Sequence, residues 1–540
     1  ESNVGFGVEH RLRHSGGGRH AQVELHAGVL LAELGHGLGQ KLHRKACRAA
    51  HPDQATPQAL YLVEWTATAL SQAIHARQVS CVEVLEAYMA QIDRLNPIVN
   101  ALVAPVGREG LRAQAQERDA QLARGISLGP LHGFPQAPKD IMPVAGMVTT
   151  RGSPIFAGQV TQADAVVFER MRAGGALYVA RTNSPEFGLG GHTFNPVYGT
   201  TRNAFDPQRS AGGSSGGAGV AVALRMLPVA DGSDMMGSLR TPSAFNNVYG
   251  LRTSMGCVPH GPTDEVFFQQ FSVAGPMARN IPDLAMLLSV QAGFDARLPL
   301  TRRSEGSQDW SWALERDFRG TRIGWLGDLG GHLPTEPGLL DTCRAALGHF
   351  KTIGCAVEEV TPAFDFEQMW RAWIDLRSFM VAGANAALYR SPARRALLKP
   401  EALWEIERGL ALSAMAVYDA AKVRSAWYQT LRQLFETFDF LVLPATQVFP
   451  FDAELDWPHQ IAGRDMDTYH RWMQAVVPAT MAGLPALSAP AGFNAQGLPA
   501  GIQILGPAQA DHALLQIGHA YDQASGYARV RSPLLAAEHR

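Results

Sequence analysis

The sequence predicts an α/β fold built as one large domain. Three observations point there. From about residue 62 to residue 525, short apolar strand patterns alternate with helical ones. A balance of 46% hydrophobic to 18% charged residues over 540 positions is that of a globular chain with a sizeable core. No internal repeat and no low-complexity linker interrupts residues 60–530. A length prior of roughly 150 residues per domain would allow ~3–4 domains, but large α/β enzymes often fold as one unit.

The elements follow in chain order. Residues 1–57 differ from the rest, with seven of the 18 histidines and the run Gly16-Gly17-Gly18. They predict an extension outside the fold. His14, His20, His26, His36 and His43 share no ligand spacing on one face, so no metal site is expected. Ser80-Cys81-Val82-Glu83 is a capping box. Val82, Leu85, Met89 and Ile92 continue it at helical spacing, and Asn96-Pro97 is expected to stop that helix. Residues 164–173 read as a helix and 176–180 as a strand. Further strands are expected at 323–326, 440–443 and 502–505. The stretch 366–435 reads as mainly helical and carries Trp370, Trp373, Phe379, Met380, Trp404 and Trp427. Residues 526–540 read as a C-terminal tail.

Residues 472–510 contain no Asp, Glu, Lys or Arg. Their length would suit a membrane span, but five prolines and five glycines from Pro478 to Pro507 interrupt it. Short buried strands and turns are expected instead. Lys+Arg 47 against Asp+Glu 49 leaves no basic excess, which excludes nucleic acid as a partner. Cys47, Cys81, Cys257, Cys343 and Cys355 are scattered and odd in number. They form neither a disulfide framework nor a zinc site, and they predict a reducing, cytoplasmic setting.

The densest chemical signal is the Gly- and Ser-rich run from Ala211 to Gly219. A phosphate-binding loop would need Gly-Lys-Ser/Thr at its end, and here Ala218-Gly219 follows Gly217. A nucleophile elbow fits Ser214 or Ser215 formally, yet none of the downstream histidines sits in a distinctive context. A third reading draws on two other segments. Asp231-Gly232-Ser233-Asp234-Met235-Met236-Gly237-Ser238-Leu239-Arg240 is a second polar turn, and its Ser238 follows Ser214 by 24 residues. Upstream, Lys139 stands alone in the apolar, Pro-rich stretch Gly133-Phe134-Pro135-Gln136-Ala137-Pro138. A buried ammonium is costly unless its pKa falls, and such a lysine can act as a base near neutrality.

With these motifs the chain resembles the amidase signature family of serine hydrolases over residues 62–525. Lys139-Asp140, Thr182-Asn183-Ser184-Pro185-Glu186, Gly212 to Gly217, Gly232-Ser233-Asp234, Gly237-Ser238-Leu239-Arg240 and Gly497 to Gln503 carry the likeness. The resemblance implies a central mixed sheet covered by helices on both faces. It implies a Ser-cisSer-Lys triad, with Ser238 as nucleophile, Ser214 as relay and Lys139 as base. Ser215 would support the loop. Backbone amides at Met235, Met236, Gly237 and Ser238 would form the oxyanion hole. Position 236 is Met where the family usually carries Gly. Asp234 and Arg240 would hold the turn by charged hydrogen bonds. The stretch around Gly188 and Gly190 would line the acyl pocket, and 366–435 the leaving-group side.

The activity so implied is hydrolysis of neutral apolar or aryl amides, with esters and carbamates as further substrates and no cofactor. A homodimer is a candidate assembly. Three alternatives compete. One is the glutamine-hydrolysing A component of an amidotransferase in a tRNA-charging complex. The others are an inactive scaffold and a histidine-dependent α/β-hydrolase.

Overall fold

Eight strands build the central sheet: β1 (Ala230–Asp234), β2 (Tyr249–Arg252), β3 (Val273–Ala278), β4 (Arg322–Trp325), β5 (Ala356–Glu359), β6 (Phe440–Pro444), β7 (Ala486–Phe493) and β8 (Pro499–Leu505). They lie in the order β1-β3-β2-β7-β8-β6-β4-β5. The β6–β4 and β4–β5 pairs are parallel and the rest antiparallel, so the sheet is mixed. The helices that pack on this sheet or border the site include α1 (Cys81–Val99), α2 (Gly216–Ala223), α3 (Arg240–Phe245), α4 (Ile281–Gln291), α5 (Leu339–Thr352), α6 (Phe366–Arg390), α7 (Pro400–Ala411), α8 (Ala414–Leu434) and α9 (Asp511–Ser525). This computed structural model describes residues 61–261, 263–268, 270–303 and 309–536. The extension expected at residues 1–57 lies outside them. The described residues belong to one unit, Pro57–Arg540.

Strand alternation splits the core in two. Phe440 and Val442 of β6 join a buried cluster with Leu284 of α4, Phe350 of α5 and Leu514 of α9. Leu441 and Leu443 point the other way, into a cluster with Trp373 of α6 and Trp427 of α8. Helices therefore cover both faces, as expected. The strands expected at 323–326, 440–443 and 502–505 correspond to β4, β6 and β8. The uncharged stretch 472–510 is buried except at its turns, 495–497 and 508–509, and supplies β7 and β8, with two short helical pieces, Arg471–Val476 and Val477–Ala482, ahead of them. Among the described residues no helix is long and apolar enough to cross a membrane.

Two expectations need correction. Helix α1 starts at the capping box, where Ser80 Oγ accepts the Glu83 N–H at 3.1 Å and Ser80 N–H donates to Glu83 Oε2 at 2.8 Å. It does not stop at Asn96-Pro97 but runs to Val99, where Asn100 takes the left-handed conformation (φ 50°). Asn96 shapes the exit instead, its Oδ1 accepting the N–H groups of Ala101 and Leu102. The strand expected at 176–180 is paired only at Leu177–Tyr178, beside Pro135–Gln136. Residues 526–536 are tied to the body. Asn247 Nδ2 donates to Tyr527 O at 2.9 Å, Ser532 Oγ to Ala204 O at 2.5 Å, and Leu535 is buried.

Gly217 in the first turn of α2 is required by a close approach. A Cβ there would stand 2.4 Å from Asn183 N and 2.5 Å from Ala101 O, both backbone atoms. Gly217→Ala should therefore destabilise the fold by about 1–3 kcal/mol or more. Gly348→Ala in α5, where nothing lies within 4 Å, should instead stabilise by about 0.5–1 kcal/mol. Urea denaturation followed by circular dichroism checks both signs.

Candidate active site

Three segments converge beyond the end of the edge strand β1. The first carries Lys139. Its backbone is pinned to residue 182, with Thr182 N–H donating to Pro138 O and Asp140 N–H to Thr182 O, both at 3.1 Å. The buried Arg181 clamps the same loop, donating to Pro138 O, Lys139 O and Met142 O at 3.0, 2.7 and 2.6 Å. Asp140 turns away from the serines. It accepts from Thr150 and lies 3.7 Å from the Arg181 guanidinium.

The second segment is the Gly-rich loop leading into α2. The peptide Gly213–Ser214 is cis. Ser214 and Ser215 are both buried, and each places its Oγ 2.8 Å from Lys139 Nζ. The third is β1 and the turn after it. Ser233 Oγ lies 3.1 Å from the same Nζ. Ser238 is 7% exposed, and its carbonyl accepts the Ser215 N–H at 3.1 Å, which sets the two turns side by side.

Asp234 and Arg240 organise that turn. The two side chains form a fully buried bidentate pair at 3.0 and 2.9 Å. Asp234 also accepts the N–H groups of Gly237 (3.0 Å) and Leu239 (3.2 Å), and Arg252 lies 3.3 Å from it. Arg240 continues outward to Val476 O, Thr480 Oγ1 and Gln503 Oε1. Gln503 closes the late Gly497-to-Gln503 motif, so that motif reaches the site through one arginine.

The electrostatics follow from burial. Desolvation lowers the Lys139 pKa to about 7, against a smaller upward pull from the Asp231 and Asp234 carboxylates. Burial raises Asp231 to about 6, opposed chiefly by the Lys139 N–H that it accepts at 3.2 Å. The Arg240 and Arg252 guanidiniums outweigh burial at Asp234 and hold its carboxyl well below the usual range.

Of the residues that sequence reasoning named, Ser214 and Ser215 touch Lys139, Ser238 is tied to Ser215 through its backbone carbonyl, and Asp234 and Arg240 pair with each other within the Ser238 turn. It gave no role to Ser233, Asp231, Arg181, Arg252 or Gln503. Ser233, Asp231 and Gln503 lay within quoted motifs, but spacing alone could not aim their side chains. No histidine among the described residues bonds to Ser214, Ser215 or Ser238; His260 Nε2 instead lies 3.3 Å from Ser272 Oγ.

The turn at 235–238 also refines the oxyanion expectation. The left-handed residue is Gly237 (φ 78°), not Met236, so Met236 carries no strain there. Met236 is buried in the second core, and Met235 Sδ lies 3.8 Å from Arg377 Nη1. The Gly237 N–H is taken by Asp234. It is therefore removed from the expected set of oxyanion donors.

Gly188 (φ 71°) borders the serines: a Cβ there would sit 3.5 Å from Ser214 Oγ and from Ile141 Cδ1. Gly190 lies farther along, beside Gly213 and 3.8 Å from Lys399 Nζ by the same measure. A cavity of about 520 Å³ opens past Ile141, lined among others by Phe156, Phe268, Phe379 and Met380. The helical stretch 366–435 thus divides. Trp370, Trp373 and Trp427 are core, Trp404 is 39% exposed, and Phe379 and Met380 face the cavity.

Comparison with known proteins gives the class: an amide-hydrolysing enzyme. The amidase profile matches residues 83–515, and the chain belongs to that family. It is 33% identical over 457 residues to an acylamidase of Rhodococcus erythropolis, covering 84% of this chain and 93% of that protein. It is 33% identical over 497 residues to the A component of the glutamyl-tRNA(Gln) amidotransferase of Ralstonia nicotianae, covering 86% and 98%. Among solved structures, a bacterial aryl acylamidase of the amidase signature family superposes with a TM-score of 0.81 at 28% identity, covering 88% and 98%.

Removing one partner of the buried ion cluster leaves charge without compensation. Asp234→Ala, which strands Arg240 and Arg252, should cost about 3–5 kcal/mol. Ser272→Ala, on a part-buried hydroxyl outside the cluster, should cost less than half as much. Denaturant midpoints of the two variants test the difference.

Proposed function

We propose that the protein hydrolyses neutral amides with an apolar or aryl group through a serine acyl-enzyme, and that esters and carbamates enter the same path. The observation that carries this reading is the buried amine of Lys139, 2.8 Å from Ser214 Oγ and lowered to about 7 by desolvation. A serine hydroxyl needs an adjacent base to attack an amide. In this reading the Ser238 oxygen attacks the carbonyl carbon. Its proton passes to Ser214 Oγ as the Ser214 proton passes to neutral Lys139. The amides of Met235, Met236 and Ser238 receive the developing oxyanion. Lys139 then returns the proton through Ser214 to the leaving nitrogen, and water repeats the sequence to release the acid.

Ser215 and Ser233 suit the amine in both states. An ammonium donates to all three hydroxyl oxygens; the neutral amine donates to two and accepts from Ser214. The rings of Phe156, Phe268 and Phe379 in the wall of the cavity beyond Ile141 support the choice of an apolar or aryl substrate. Buried free thiols at Cys81, Cys257, Cys343 and Cys355 fit a reducing, cytoplasmic setting. A second reading, glutamine hydrolysis as one component of a tRNA-charging complex, rests on the relative from Ralstonia nicotianae. Turnover of p-nitroanilides by the isolated chain selects the first reading; ammonia release from glutamine only with a partner protein selects the second.

The base must be neutral to act. Activity should therefore be lost as pH falls through about 7 and reach a plateau above it, seen in kcat/KM, which reports the free enzyme. A profile flat into acid would rule out the lysine base. Lys139→Met should lower kcat by about 10²–10⁴-fold. Ser238→Ala should lower it by on the order of 10³-fold or more and abolish labelling by a fluorophosphonate.

A further inference from the structure

Among the described residues, one cation in the cavity wall has no counter-ion. Arg151 lines the cavity together with Ile141, Phe156 and Phe379. Its guanidinium lies over a pair of rings, 5.5 Å from the Phe156 centroid and 5.1 Å from that of Phe187. Its Nε is buried without a hydrogen-bond partner among the described residues. Arg151 is half-buried, whereas the fully buried arginines near the site all face carboxylates: Arg181 meets Asp140, Arg240 and Arg252 meet Asp234, and Arg377 meets Glu405. Arg151 has no such ion pair among the described residues. Burial lowers its pKa, and no neighbouring carboxylate opposes that shift. Asp264 and Glu265 line the same cavity, but neither forms an ion pair with Arg151. The Glu265 carboxylate accepts the N–H groups of Phe267 and Phe268 at 2.6 and 2.7 Å.

The position connects this cation to the reaction centre. Arg151 O accepts the Phe187 N–H at 2.8 Å, one residue before Gly188, which borders Ser214. Ile141 lies against Gly188 and also lines the cavity. A substrate with its carbonyl at Ser238 would run its remote end past Ile141 toward Arg151. The two ring faces attract the cation but give its Nε no acceptor, and the planar guanidinium fork matches a carboxylate.

We propose that Arg151 is a specificity-determining residue that receives a carboxylate at the remote end of the amide substrate, while Phe156, Phe379 and Met380 pack against the apolar segment between carboxylate and scissile bond. This rests on the amide-hydrolase reading above and narrows it, since the reacting amide stays neutral and the remote group is anionic.

Two isosteric pairs test it by aniline release. The p-nitroanilide of adipic acid monoamide is compared with the mono-p-nitroanilide of adipic acid, which places the carboxylate on the acyl side. The pair 4-acetamidobenzamide and 4-acetamidobenzoate places it on the amine side. In one pair the carboxylate should have a kcat/KM about tenfold or more above its carboxamide, carried by KM, as expected for a charge-assisted hydrogen bond. That ratio should collapse toward one in Arg151→Gln and survive in part in Arg151→Lys. Equal kcat/KM within both pairs, or a preference that persists in Arg151→Gln, would overturn the proposal. Calorimetric binding of hexanoate against hexanamide to the wild-type protein decides the matter without turnover: tighter hexanoate supports it, equal affinity refutes it. Failure of the hydrolase reading shows separately, as the absence of both anilide turnover and fluorophosphonate labelling.

Discussion

The site depends on a lysine amine buried among hydroxyls and kept off carboxylates. An ammonium taken out of water costs several kcal/mol unless it is paired or gives up its proton. At Lys139 the fold withholds the ion pair. Asp231 and Asp234 are close enough to act on the amine, but neither forms an ion pair with it. Asp231 receives the Lys139 backbone N–H, and Asp234 receives Arg240, Arg252 and two backbone amides. Had either carboxylate touched Nζ directly, its attraction would favour the ammonium and raise the pKa. The hydroxyls of Ser214, Ser215 and Ser233 do the opposite work, since they solvate either protonation state without fixing one.

Keeping Asp234 occupied requires the rest of the molecule. Arg240 reaches the short helix Val477–Ala482 through Thr480 and strand β8 through Gln503, while Ser488 of β7 donates to Arg240 O at 2.9 Å. Gln503 in turn donates to Pro444 O on β6 and to Ala475 O. The turn that presents Ser238 is thus held by the middle of the sheet, far along the chain. Loosening β7 or β8 would free Asp234 and, with it, alter the field at Lys139.

How legible this was depended on the range of the interactions. The capping box at Ser80 and the strands β4, β6 and β8 are written in local pattern, and they were readable. The serine cluster was readable because its motifs combine unusual residues at fixed spacing. Asn96-Pro97 misled because the helix end is set by the left-handed Asn100, three residues past the proline's cue. Leu177–Tyr178 was overextended because buried apolar runs resemble strands whether or not a neighbour pairs with them. Ser233 and Asp231 went unassigned because their roles depend on which way strand β1 faces, which is decided by pairing with β3. Arg151 left no trace in sequence, since the lack of a carboxylate beside it is a property of the folded neighbourhood.

The placement of α6 sets the cavity wall apart from the lysine–serine cluster. Phe379, Met380, Gly383 and Ala384 form one stripe in the later part of that helix and line the cavity, while Trp373, Ile374 and Leu376, in the turns before it, belong to the second core, on which Met380 also packs. Exchanges along the stripe alter the volume and polarity that a substrate meets. They leave untouched the hydrogen bonds around Lys139, which come from β1, α2 and the 139 loop; at Met380 they also reach the second core. Family members can therefore share the lysine–serine cluster and differ in substrate. The aromatic content of 366–435 was a poor guide for the same reason: Trp370, Trp373 and Trp427 are core, and only a short stripe faces the cavity.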